Sequence, residues 1–278
     1  MSKRPVNTIL ITGCSSGIGY VTAKGLRERG YRVFASARKS ADVERLKAEG
    51  FEAVQLDLDD SDSIRQAVAQ VLEWSGGTLD ALFNNGAWGQ VGAVEDLSRE
   101  VLRSQFESNF FGTHELTNQV LPLMRKQGYG RILYNSSVLG FIALPFRGAY
   151  NASKFALEGL VDTLRLELHG TDIHPVLIEP GPILTKFREN AYRKFKQNID
   201  AAHSPFHKVY QKMEQKLQTE GPAVPFTLPP EAVLQKVIYA LERPRPKIRY
   251  YVTVPTYLFA FLRRVLPFRV LDWIQRKV

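Results

Sequence analysis

The run Thr8-Ile9-Leu10-Ile11-Thr12 leads directly into Gly13-Cys14-Ser15-Ser16-Gly17-Ile18-Gly19, and then into an amphipathic segment over residues 20–29 that Gly30 closes. The first run is short, β-branched and bounded by glycine, so it reads as a buried strand; the segment after the turn reads as a helix. This order constrains the fold more than any other feature of the chain. A helix that follows a strand so closely packs back over it, and the next strand then lies parallel to the first. The alternation continues. Residues 31–37, 51–57, 79–83, 131–134, 173–178 and 249–254 read as strands. Residues 41–49, 61–74, 99–127 and 148–169 read as helices, with Ser61 as an N-cap. The pattern predicts an α/β architecture, a Rossmann-like doubly wound parallel sheet flanked by helices.

A chain of 278 residues with 44% hydrophobic composition suits a single large domain with a sizeable core. Cys14 is the one cysteine, so no internal disulfide forms. Together with the absence of a signal-peptide h-region or a long uncharged apolar run, this points to the cytoplasm. Nothing near Cys14 suggests a base, and it reads as a small packing residue. The net charge of +9 is uneven. Nine basic residues face two acidic ones over residues 241–278, and eight face three over residues 186–217. The charge belongs to the last third of the chain and matches no recognisable nucleic-acid module, so no nucleic-acid partner is expected.

In a doubly wound sheet, ligands bind beyond the carboxyl ends of the strands. The residues just after each strand therefore carry the chemistry. The turn from Gly13 to Gly19 lets backbone approach a pyrophosphate, and the following helix offers N–H groups and the positive end of its dipole. Its spacing, G-x-x-x-G-x-G, differs from the common G-x-G-x-x-G. After the second strand, Ala37 stands where an NAD site would place a carboxylate, and Arg38 offers a planar cation for a 2′-phosphate; this predicts NADP(H). Asp57 and Leu58 suit an adenine. Asn84-Asn85-Gly86-Ala87 lets backbone run close to a ribose. Asn135-Ser136-Ser137 and Glu179-Pro180-Gly181-Pro182-Ile183-Leu184-Thr185 follow the fifth and sixth strands.

Tyr150 and Lys154 stand four apart within a helical run, so they share a face. An ammonium beside a phenol favours the phenolate and lowers the tyrosine pKa toward a range useful for proton transfer.

These motifs resemble the short-chain dehydrogenase/reductase family over residues 6–185, most closely its NADP-dependent carbonyl and aldehyde reductases related to hydroxysteroid and retinol dehydrogenases. Thr12 to Gly19 is similar to the family's cofactor turn. Asn84-Asn85-Gly86-Ala87 is similar to its N-N-A-G element with the last two residues exchanged. Ser137 and Asn109 precede Tyr150 by the intervals the family uses, and this spacing favours Ser137 over Ser136. The resemblance implies hydride exchange between NADP(H) and a carbonyl or alcohol. Tyr150 would act as acid/base, Lys154 would hold the nicotinamide ribose, Ser137 would bind the carbonyl oxygen and Asn109 would hold a relay water. Gly13, Ser15, Ser16, Gly17, Ile18, Gly19, Arg38, Asp57, Leu58, Asn85, Gly86, Ala87, Tyr150, Lys154, Pro180, Gly181, Ile183 and Thr185 would contact the cofactor. It also implies a homodimer or homotetramer, and an apolar substrate under a lid of about residues 186–228. A relative that binds NADP(H) as a sensor without turnover is the reading from another class; such relatives lose part of the catalytic set, which is complete here.

His203 and His207 are spaced to share a helix face but lack a third ligand, so no metal is expected. The expected organisation is a domain over residues 1–255 and an apolar, basic extension over residues 256–278, broken at Pro267. Two readings of that extension stand: a helix on an anionic membrane surface, or packing across the pocket or against a subunit.

Overall fold

The computed structural model describes residues 6–219, 221–222 and 224–277. Residues 1–5 of the expected domain, positions 220 and 223 of the expected lid and residue 278 of the expected extension lie outside them. Seven parallel strands form one sheet in the order β3-β2-β1-β4-β5-β6-β7. They are β1 (Thr8–Ile11), β2 (Arg32–Ala37), β3 (Glu52–Gln55), β4 (Ala81–Asn84), β5 (Tyr129–Asn135), β6 (Asp172–Glu179) and β7 (Arg249–Tyr251). The strand order reverses direction at β1 and β4, so the crevice opens beyond the ends of these two strands.

Helices cover both faces. On one, α1 (Gly17–Glu28), α2 (Ser40–Ala48) and α9 (Glu231–Glu242) place Leu26, Leu46 and Val237 against Ile9 and Ile11. On the other, α3 (Ser61–Ser75), α5 (Gly112–Gln127) and α6 (Gly148–Glu167) place Ile64, Leu116 and Leu157 against Leu10. Alternate residues of β1 thus feed opposite cores, as the period of a strand requires. The helical lid consists of α7 (Phe187–Asn198) and α8 (His207–Gln218). It has its own core, in which Phe195 and Tyr210 pack against Val91 and Ala93. The chain ends in α10 (Val254–Val265) and α11 (Phe268–Gln275), separated at Leu266-Pro267.

Four local differences from the sequence reading have physical reasons. Asp60, not Ser61, caps α3: its Oδ1 accepts from Asp62 N at 2.8 Å and Ser63 N at 3.3 Å. A carboxylate satisfies these N–H groups and also complements the helix dipole. Ser61 instead donates to Glu115 of α5 at 2.7 Å. The helix expected over residues 99–127 is interrupted: α4 (Arg99–Phe106) enters a π-helical turn (Glu107–Phe111) before α5. The helix expected over residues 148–169 ends at Glu167. The last strand stops at Tyr251, because Val254-Pro255 begins α10 and proline near a helix start needs no N–H partner.

Candidate active site

Thr12 organises the crevice. Its Oγ1 accepts from the backbone N–H groups of Asn85 and Gly86, both at 2.8 Å, and its carbonyl accepts from Asn85 Nδ2 at 2.8 Å. The end of β4 is thereby tied to the end of β1. Gly13 adopts φ 72°, and a Cβ there would lie 2.9 Å from Gly86 Cα. A Cβ on Gly19 would lie 2.3 Å from Gly13 O. Only glycine lets these three segments converge. Ser15 O accepts from Arg45 at 2.7 Å, and Ile18 packs into the core beneath the turn. Ser16 is the extended N-cap of α1, makes no side-chain capping bond, and is followed by no acid in the first turn. This helix start is suited to a phosphate.

Around this turn lie the other residues expected to contact a cofactor. Ala37 is buried, and Arg38 is exposed at the end of β2 with its carbonyl bound by Gln55 at 3.0 Å. Asp57 and Leu58 follow β3; Leu58 Cδ1 lies 3.1 Å from where a Gly86 Cβ would be. Ala87 is exposed beside them. Across the crevice, Thr185 stands over Gly17, with its Cβ 3.1 Å from an imagined Gly17 Cβ. The strap holding Thr185 is anchored twice. Pro180 O accepts from Val138 N at 2.8 Å, and Ile183 bridges to Leu228. A cavity of about 650 Å³ lies between turn and lid, lined by Ser16, Gly17, Thr185, Lys186 and Tyr192. Collapsed glycines, an uncapped helix start and a roomy cleft fit a dinucleotide.

The residues expected to transfer a proton gather at the adjacent ends of β5 and α6. Tyr150 and Lys154 are both buried, and Lys154 Nζ lies 5.7 Å from the Tyr150 ring centroid. Lys154 donates to Asn135 O at 2.7 Å, and Asn135 Nδ2 donates to Asn85 Oδ1 at 2.9 Å. A continuous chain of contacts therefore joins the lysine to Thr12. Ser137 caps a short 3₁₀ turn (Val138–Gly140) through Leu139 N at 3.1 Å and hydrogen-bonds Tyr150. Ser136 turns away: its hydroxyl is buried without a partner. Asn109 sits in the π-helical turn. It accepts from Trp88 N at 3.1 Å, and donates to Trp88 O at 2.9 Å and Ser153 Oγ at 3.2 Å. The wider turn aims this amide at the loop after β4, a use seen often for π-bulges.

The electrostatics correct one expectation. Tyr150 is pushed up to about 12 by burial, against which the Ser137 hydrogen bond works. Lys154 is pushed down to about 8 by burial, opposed by Glu158. Desolvation outweighs the attraction expected between the pair, and each is driven toward its neutral form.

The sequence marks the aromatics of the lid and Trp88 as candidates for an apolar pocket, and the fold shows what two of them touch. Phe187, at the start of the lid, meets the Tyr150 ring edge-on at 5.3 Å between centroids. Lys194 lies over Trp88 at 4.9 Å. Of the lid aromatics, Phe195, Phe206 and Tyr210 fill the lid's own core, Tyr192 also lines the cleft, and Phe187 meets Tyr150. No periodicity reports which face a folded-back lid presents. The signal for Asn135 was its place as the last residue of β5. Cys14 is buried, donates to Ile11 O at 3.2 Å, and is pushed up to about 12 by burial, in keeping with a packing role. His203 pairs with Asp200 at 2.8 Å. Among the described residues no group of three or more potential ligands could hold a metal ion.

The family model described as short chain dehydrogenase matches residues 7–196. The uncharacterized oxidoreductase YbbO of Escherichia coli is 43% identical over 96% of this chain and 93% of its own. The 17-beta-hydroxysteroid dehydrogenase type 1 of Homo sapiens is 35% identical over 88% of this chain and 77% of its own. A short chain dehydrogenase/reductase from Burkholderia phymatum, solved in complex with NAD, shares the fold with a TM-score of 0.79 over 99% of this chain and 97% of that one, at 22% identity. The glycine turn, the parallel sheet and these relatives agree: the chain belongs to the short-chain dehydrogenase/reductase family of oxidoreductases, which use a nicotinamide cofactor.

Proposed function

We propose that the protein interconverts a carbonyl, aldehyde or ketone, and an alcohol on an apolar substrate, with NADP(H) as cofactor and Tyr150 as acid/base. The observation that carries this is the buried cluster of Ser137, Tyr150 and Lys154 beside the glycine turn. The nicotinamide supplies or takes a hydride when bound. The protein's own residues handle the oxygen. The Ser137 hydroxyl donates to it as charge develops. Tyr150, held protonated by burial, gives its proton to the nascent alkoxide, or takes one in the alcohol direction. Lys154, fixed by Asn135 O, holds the ribose side. Asn109 positions the Trp88 loop against Ser153 and supports the relay reading. The strap of Pro180, Gly181, Ile183 and Thr185 would hold the nicotinamide.

Arg38 beside Ala37, with no carboxylate at the end of β2, supports NADP(H) over NAD(H). The aromatic rings of Phe187, against Tyr150, and Tyr192, on the cleft wall, suit apolar carbonyls. The hydroxysteroid dehydrogenase relative favours a second reading, in which the substrate is a steroid or a retinoid. Assembly as a homodimer or homotetramer is proposed through α5 and α6, where Phe111 just before α5 and Phe155 and Leu166 on α6 are exposed. The buried free thiol accords with a cytoplasmic location.

The test follows NADPH absorbance with a panel of aldehydes, ketosteroids and retinal. Turnover of at least one class is expected, and Tyr150→Phe is expected to lose about 10²–10⁴-fold in rate while still binding NADPH. Cofactor binding without turnover of any carbonyl would instead mark a sensor. For the cofactor, Arg38→Ala is expected to weaken NADPH about tenfold and leave NADH unchanged. Equal loss for both cofactors would contradict the 2′-phosphate role.

A further inference from the structure

We propose that α10 and α11 form a docking surface for an anionic lipid bilayer, placed beside the substrate cleft. Nineteen large apolar side chains are exposed among the described residues, and eight of them lie between Val254 and Trp273. Scattered singly they would mean little; gathered on one helical hairpin they mark a contact surface.

The geometry shows that the surface is not a core face left open. α10 has two apolar sides. Phe259 and Ala260, with Leu271 of α11, pack on Phe141 and Ile142 and are buried. On the other side Val254, Leu258, Phe261 and Val265 recur at helical spacing, and all are exposed. A soluble helix places polar residues there. α11 continues the surface with Phe268, 81% exposed, together with Val270 and Trp273.

Charge selects the occupant. Arg263, Arg264, Arg269, Arg276 and Lys277 stand along this hairpin, all exposed, with Asp272 the single acid. None forms an ion pair among the described residues. Two copies meeting through this face would set like charges against one another, which opposes a two-fold contact. An anionic bilayer matches both features, apolar side chains entering the acyl boundary and cations at the headgroups. Trp273 and Tyr257 carry the amphipathic rings that favour that boundary. Among the described residues no helix is long and apolar enough to cross a membrane, so the contact is peripheral.

The surface adjoins the site. The turn Val138–Gly140 directly follows Ser137, and Val138 and Leu139 pack against the same cluster as Phe259 and Leu271. A Cβ on Gly181 would lie 2.1 Å from Thr253 Oγ1, so the strap touches the start of α10. Docking would hold the cleft beside the lipid phase, where apolar carbonyls concentrate; this last point alone rests on the proposed function.

The experiment is flotation of the full chain with phosphatidylcholine vesicles, with and without phosphatidylglycerol, at low and high salt. Shortening the chain is unsuitable, because it removes the buried Phe259 and Leu271. Phe261→Asp/Phe268→Asp changes two exposed side chains, and Arg269→Glu/Arg276→Glu reverses two charges. Binding to phosphatidylglycerol vesicles is expected, with weak binding to neutral ones, a fall of about fivefold for each cation lost, and loss in the Phe261/Phe268 variant. NADPH oxidation with a short water-soluble aldehyde is measured in parallel and is expected to be unchanged in both variants. Absence of flotation with phosphatidylglycerol at low salt overturns the proposal, as does flotation that neither variant reduces. A dimer that the Phe261/Phe268 variant dissolves assigns the face to a second copy instead. Turnover without flotation removes the docking alone; flotation without turnover removes the enzymatic reading alone.

Discussion

Glu179, the last residue of β6, is fully buried one position from the strap at Pro180. It shares the guanidinium of Arg249 with Glu158, while Asp162 takes the other nitrogen at 2.6 Å. Burial first, then repulsion from Glu158, pushes the Glu179 carboxyl up to about 8 against the pull of Arg249. The native chain therefore keeps a proton that the unfolded chain releases near its ordinary range. Stability from this group is present below about pH 4.5 and lost as pH rises through about 8. Glu179→Gln stays neutral and should flatten that decline. Thermal unfolding is expected to show the midpoint of the native chain falling several degrees further than that of the variant across that interval. Parallel curves would mean the carboxylate is already ionised throughout. Residues of this kind were illegible in the sequence, because three acids on α6 and β6 become neighbours of Arg249 only when β7 pairs beside β6. Tyr150 and Lys154 were legible because helix spacing is local. Their shifted protonation was not, since burial depends on the lid and on the end of β5.

Among the elements, the broken helix between residues 99 and 127 carries the most information. Gly112 follows the π-helical turn, and a Cβ there would lie 1.8 Å from Leu58 O, a backbone atom that cannot step aside. The close approach brings the segment after β3 against the helix that presents Asn109. Gly112→Ala is expected to destabilise by at least about 2 kcal/mol in urea denaturation. Gly159→Ala on α6, where a Cβ meets nothing within 4 Å, should be neutral or stabilising by up to about 1 kcal/mol. Equal effects at the two glycines would show that the approach is softer than the backbone geometry implies. The hydrophobic period located this helix in the sequence, but a single inserted residue leaves that period almost untouched, so the π turn was hidden. The Asp60 cap was hidden for a similar reason: Asp60, Ser61 and Asp62 are all cap formers, and only backbone angles distinguish them.

At the scale of the molecule, the alternation of strands and helices was readable almost throughout, and so was the gathering of the site at one sheet edge. The partition into domain and extension was drawn from composition. The packing of α10 on Phe141 and Ile142 ties that extension into the body. The same holds at the other end of the chain. Leu234 of α9 seats on Gly25 of α1, where a Cβ would come within 2.3 Å of it, and Arg29 pairs with Glu242 at 2.8 Å. The first helix synthesised is thus roofed by one of the last. A ribosome that has released β1 to β6 has made every strand around the glycine turn, yet α1 still shows its apolar flank to solvent and to chaperones. Stalled nascent chains should resist protease at α1 only once the α9 residues have cleared the exit tunnel, and each newly made molecule passes through a vulnerable interval whose length is set by translation speed.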